Sequence, residues 1–130
     1  MSASDEPRQI NLLHVLCCGG RKYRNTDRVF RALDKLRKLN PSKRLLIIEG
    51  GATGADDLCA IYSNVNKLPH LRMPAEWEKL GKRAGQVRNK QMLDVVEVDC
   101  VVAFPGGDGT ANMVAEARKR GIKVYEVKDE

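Results

Sequence analysis

Apolar residues follow two rhythms along this chain. Leu12 to Cys17 is a continuous apolar run broken only by His14, and Leu45 to Ile48 and Cys100 to Phe104 repeat the form. Short runs without alternation predict strands covered on both faces. Between them the spacing changes to three and four. Val29, Phe30, Leu33, Leu36 and Leu39 share one face of a helix that Asn25 or Thr26 caps and Asn40-Pro41 stops. Leu58, Ile61, Tyr62 and Val65 mark a second helix, and Thr53 with Asp56 three residues on resembles a capping box at its start. A third helix is predicted over roughly Lys82 to Val96. A fourth runs from Thr110, its expected cap, to Lys119, with Gly121 as its stop. His70-Leu71-Arg72 and Ile122 to Val127 supply two further strands, and Met73 to Leu80 reads as an irregular loop carrying Trp77, the sole tryptophan.

Strands alternating with helices require parallel pairing, right-handed crossovers and helices on both faces. The fold expected is a doubly wound parallel α/β sheet of five strands in the order 3-2-1-4-5. Ligands of such sheets bind beyond the carboxyl ends of the strands, where the strand order reverses. Here that point lies between the first and fourth strands, beside the loops Cys18–Arg24 and Pro105–Thr110. At 130 residues the chain suits one domain. Residues 1–10 read as a frayed tail and residues 11–130 as the domain. No apolar run approaches the roughly 20 residues that span a bilayer. The polar start, Met1 to Pro7, lacks a signal peptide's apolar region, so a cytoplasmic location is expected.

Charge adds one feature to this picture. The net charge is +6, and residues 21–44 hold ten basic side chains against Asp27 and Asp34, so the remainder is slightly acidic. The basic stretch from Arg28 to Lys38 suits either the solvated face of a helix or a polyanion. Arg21 and Lys22 differ, because they sit within a glycine loop. The four cysteines show neither a CxxC pair nor Cys/His ligand spacing, and they read as reduced thiols. His14 and His70, inside or beside strands, read as structural residues.

The chemistry is concentrated in three glycine loops, each closing an apolar run: Cys18-Gly19-Gly20-Arg21, Gly50-Gly51-Ala52-Thr53-Gly54 and Pro105-Gly106-Gly107-Asp108-Gly109-Thr110. Glycines remove side chains from a strand-to-helix turn, so backbone N–H groups can approach a ligand. The helix N-terminus behind them favours negative charge. Phosphate is the expected occupant. No cofactor is required; Asp56, Asp57 and Asp108 are placed to hold a magnesium ion through ligand phosphates, although no spacing demands one.

Taken together, Cys18-Gly19-Gly20-Arg21-Lys22-Tyr23, Glu49-Gly50-Gly51-Ala52-Thr53-Gly54-Ala55-Asp56, Gly85-Gln86-Val87-Arg88-Asn89 and Pro105 to Thr110 resemble the YspA-like family of the SLOG superfamily. That superfamily also holds the Lonely Guy phosphoribohydrolases, the DprA DNA-processing proteins and molybdenum-cofactor carriers. The resemblance runs from about Leu12 to Val127. It implies a Rossmann-like domain that binds nucleotides or their derivatives. Its candidate contacts are Gly19, Gly20, Arg21, Gly50, Gly51, Thr53, Gly54, Arg88, Asn89, Pro105, Gly106, Gly107, Asp108, Gly109 and Thr110.

Lonely Guy enzymes cleave an N-glycosidic bond with an Arg ahead of a PGGxGTxxE motif. Arg88 is similar to that Arg, but the Glu position is Met113. A methionine neither stabilises an oxocarbenium-like transition state nor moves a proton. Glu116, one turn on, is displaced by about 4.5 Å and roughly 60°. Asp108, Asp56 and Glu49 remain as candidate acids. The resemblance therefore favours a nucleotide sensor, carrier or sequestering protein. The alternative is a nucleotide N-glycosidase using Arg88 with displaced acids, and a third reading is DprA-like nucleic-acid binding by the basic helix. A homodimer is implied by resemblance to Lonely Guy proteins, and Trp77 is a candidate lid over a base.

Overall fold

Leu12–Cys18 forms the central strand, β1, because its side chains are wanted on both sides of the sheet. In the computed structural model, which describes residues 11–75 and 81–129, Leu13, Val15 and Cys17 face one layer of helices and Leu16 the other. The described elements then run α1 (Thr26–Leu39), β2 (Arg44–Glu49), α2 (Ala55–Val65), β3 (His70–Arg72), a 3-10 turn (Gly81–Arg83), α3 (Ala84–Val95), β4 (Cys100–Ala103), α4 (Asp108–Lys119) and β5 (Lys123–Glu126). The five strands pair in parallel in the order β3-β2-β1-β4-β5. β1 aligns Leu13 with Leu45 on one side and Leu16 with Val101 on the other. This is the Rossmann-like α/β architecture expected from the hydrophobic pattern.

Two cores hold the layers together. On one face Val15, Ile47 and Val102 meet Val29 and Leu33 of α1 and Leu58 and Tyr62 of α2. On the other, Leu16, Ile48 and Val101 meet Met92 and Leu93 of α3 and Met113 and Ala117 of α4. Each fully buried Leu or Ile contributes about 1.5–3 kcal/mol. The helices therefore hold their positions through packing, and loops at the strand ends inherit that rigidity.

Local signals decide most boundaries. Asn25 caps α1, its Oδ1 accepting the Arg28 N–H at 3.1 Å, and Asn40 ends it. Two expectations fail. α4 starts at Asp108 and is capped by Gly107 without a side-chain bond, so Thr110 lies inside the first turn and is not the cap. An acid at the first helical position suits the dipole, which offsets the poor helix propensity of Gly109. The Thr53–Asp56 capping box is also absent. α2 is capped by Gly54 at φ +77°, and Asp56 turns back onto the preceding loop.

The four cysteines are unbridged, with Cys17, Cys59 and Cys100 buried. No helix among the described residues is long and apolar enough to cross a membrane. Residues 1–10 and Trp77 lie outside the described residues.

Candidate functional site

The carboxyl ends of β1 and β4 open into a cleft of about 470 Å³. Its walls come from all three glycine loops, and those loops are fastened to one another. Gly20 N donates to Pro105 O at 2.9 Å, Ala55 N donates to Gly20 O at 3.1 Å, and Thr53 Oγ1 donates to Arg21 O at 3.0 Å. The approach is too close for side chains. A Cβ on Gly106 would lie 2.3 Å from Thr110 Oγ1 and 2.7 Å from Gly20 N; one on Gly54 would lie 2.2 Å from Gly20 O. By contrast, a Cβ on Gly107 or Gly109 would meet nothing within 4 Å. These two glycines face open space, and their neighbours in the fold do not require them.

Backbone donors divide between the loops in the same way. In the second loop Asp56 Oδ2 accepts the N–H groups of Gly50 and Ala52 at 3.2 and 3.1 Å, while Glu49 Oε1 accepts that of Gly51 at 2.6 Å. Those donors are already satisfied. In the third loop the first backbone bond of α4 runs from Ala111 N to Gly107 O, and no side chain caps the helix among the described residues. The N–H groups of Asp108, Gly109 and Thr110 consequently lack helical acceptors, and these three residues line the cleft.

α3 crosses the opposite wall. Arg88 Nη1 donates to Gly50 O at 2.8 Å and its Nε to Asn89 Oδ1 at 3.1 Å. Among the described residues its Nη2 has no partner. Burial lowers the Arg88 pKa from its usual value, against the opposing pull of Asp56. Asn89, only 3% exposed, donates through Nδ2 to Gly109 O at 3.2 Å and to Asn112 Oδ1 at 2.9 Å. It joins α3 to the first turn of α4. Burial pushes the Asp56 carboxyl up to about 6, although the N–H groups of Ala52 and Gly50 work against that shift.

Gly19, Gly20, Arg21, Asp56, Arg88, Asn89, Gly107, Asp108, Gly109 and Thr110 line the cleft. Gly50, Gly51, Thr53, Gly54, Pro105 and Gly106 lie outside the lining and join the loops to each other and to Arg88. Glu49 is fully buried at the end of β2, where its Oε2 accepts from His70 Nε2 at 2.7 Å and Arg72 Nε at 2.6 Å. It braces the β2–β3 edge. Met113 is 1% exposed in the core between α3, α4 and the sheet, so a carboxylate at this position would enter the core. Glu116 lies 3.9 Å from Arg120. Asp57 pairs with Arg72 at 3.1 Å, and no three His, Cys, Asp or Glu side chains cluster as metal ligands among the described residues.

Cys18, Ala52, Gly85, Gln86 and Asn112 complete the lining and were not among the candidates. The spacing of Asn112, four after Asp108 and three after Gly109, was the available signal: it puts all three on one side of α4.

Comparison with known proteins adds the lineage. Residues 13–80, just over half of the chain, match the model of the YspA, cpYpsA-related SLOG family. Over 124 aligned residues the chain is 36% identical to the Gene 61 protein of Mycobacterium phage D29, covering 88% of this chain and 96% of that one. The chain belongs to the YspA, cpYpsA-related SLOG family. The family match takes in β1 to β3 with the first two glycine loops and ends before β4 and α4. MurG of Acinetobacter baumannii has a similar fold, with a TM-score of 0.56 and 15% identity over 88% of this chain. This SLOG protein spans about a third of that structure, 34% of its length.

Proposed function

We propose that this SLOG protein binds a nucleotide or nucleotide-derived ligand in the cleft between β1 and β4, acting as a sensor, carrier or sequestering protein. The observation that carries the reading is the uncapped start of α4. Its first-turn residues line the cleft together with Arg88, and Gly107 and Gly109 leave room for a group to approach the backbone. A phosphate suits that arrangement of donors and dipole. The walls are polar, with Asn112 and Gln86 available to a ribose or base. Asp56 and Asp108 line the cleft and would be the acids to meet a magnesium ion accompanying ligand phosphates, whereas Asp57 is engaged by Arg72. A thermal-shift panel of nucleoside mono-, di- and triphosphates and NAD derivatives tests the proposal. Stabilisation by a phosphorylated compound and not by its parent nucleoside is expected; no shift with any member overturns it.

One observation favours the hydrolase reading. Asp56 lines the cleft, Oδ2 is held by two N–H groups, and Oδ1 has no partner among the described residues. A carboxyl that titrates near 6 is suited to proton transfer at neutral pH. Incubation with nucleoside monophosphates and NAD derivatives decides by release of free base. Release that disappears in Asp56→Asn, with ligand binding retained, supports hydrolysis.

A further inference from the structure

The sheet face that carries α1 and α2 has a second opening. α1 packs beside β1 and β4 through Leu33, Leu36 and Val102, but no described helix lies over β5 on that side. Parallel sheets are normally covered on both faces. The gap is a groove of about 550 Å³ between α1 and β5, separate from the nucleotide cleft and sharing none of its lining residues. Its floor is apolar: Ala32, Leu36 and Leu39 from α1 face Val102, Tyr125 and Val127. Leu39 is 62% exposed at the end of α1.

The rim has the opposite character. Arg28, Arg31, Lys35 and Lys128 surround the floor. Among the described residues Glu126 is the one carboxylate in the lining, and Arg118 holds it at 2.9 Å. Arg28 turns inward to the Lys128 carbonyl. Arg31 and Lys35 pair with no acid among the described residues. They stand four apart on α1, where like charges repel. An apolar strip bordered by unopposed cations is complementary to an amphipathic helix with acidic flanks. A second copy of this chain is disfavoured, because it would bring two basic rims together.

The geometry points to this groove as the docking site for an acidic amphipathic helix of a partner protein. The probe is a fluorescent helical peptide of about 14 residues, or four turns, with leucines at i, i+3, i+4 and i+7 and glutamates on both flanks. The expected result is saturable binding to the full chain that weakens as salt is raised. Amide shifts should map to α1 and β5 and not to Gly107–Thr110. Arg31→Glu/Lys35→Glu should weaken binding about tenfold or more, and the milder Arg31→Gln/Lys35→Gln should weaken it less, both with unchanged thermal stability. Equal binding of a peptide with lysines for glutamates overturns the proposal. So does the absence of binding, or shifts confined to other surfaces. A dimer in light scattering that Leu39→Glu dissociates would assign the face to a second copy and also overturn it.

Discussion

Asn89 Nδ2 and Asn112 Oδ1 lie 2.9 Å apart, and the same Nδ2 reaches Gly109 O at 3.2 Å. This one amide sets the position of the α4 start relative to Arg88, its neighbour on α3. Asn89→Ala should destabilise the fold by about 1–2 kcal/mol in urea unfolding. It should also weaken nucleotide binding more than that loss implies, because the α4 N–H groups lose their alignment with Arg88. Unchanged affinity in a folded variant would separate the two.

Gly106 and Gly107 are adjacent, yet their alanine variants should behave oppositely. Gly106→Ala forces a Cβ against Thr110 Oγ1 and Gly20 N, which should cost about 1–3 kcal/mol of stability. Gly107→Ala meets nothing within 4 Å and should leave the melting temperature unchanged while reducing nucleotide affinity. Equal affinity in Gly107→Ala and the parent would place the ligand elsewhere.

Arg88→Ala should reduce affinity for a phosphorylated ligand by about 10- to 100-fold in calorimetry, as for loss of a charge-assisted hydrogen bond. Arg88→Lys retains charge and loses the planar fork, so it should recover only part of that affinity.

Asp56 gives the protein a pH signature. Its carboxyl titrates at about 6 in the fold against an ordinary value of 3.8. Between those values the native state holds more protons than the unfolded chain, so stability falls as pH rises from 4 to 6 and levels off above. The contribution is on the order of 3 kcal/mol. Unfolding free energies of Asp56→Asn should lack this decline; a parallel pH profile would assign the decline to another group.

Met113→Glu supplies the residue of the Lonely Guy motif but should not confer cleavage. The side chain enters the core beside Leu16, Ile48 and Met92. A loss of about 4 kcal/mol is expected from burying an unpaired polar group. Base release by a stable Met113→Glu protein would contradict the core placement.

Strand order and helix order were legible because Leu12–Cys17 and Cys100–Phe104 lack alternation while Val29 to Leu39 keeps a helical period. The start of α4 was not, since Gly109 reads as a loop residue and Thr110 as a cap. The helix begins instead at Asp108, an acid that suits the dipole at the first helical position. The first and third loops sit at the cleft as the strand order implied. The second loop looks equivalent in sequence, but Asp56 and Glu49 satisfy its donors, a pairing that depends on how the chain turns at Gly54. Asn112 was legible only through its spacing from Asp108 and Gly109, because a lone polar residue on a helix carries no signal of its own.

Synthesis order gives the β1–β4 pairing a further meaning. The ribosome releases β1 early, but Val15 to Cys18 must wait for Cys100 to Ala103 before that side of the strand is paired. Until then the nascent chain presents an open strand edge, which neighbouring chains can join. The partner of Gly20 N, Pro105 O, arrives in the same late segment as the α4 start. A chain cut short before β4 therefore has an exposed β1 edge and lacks the α4 wall of the cleft.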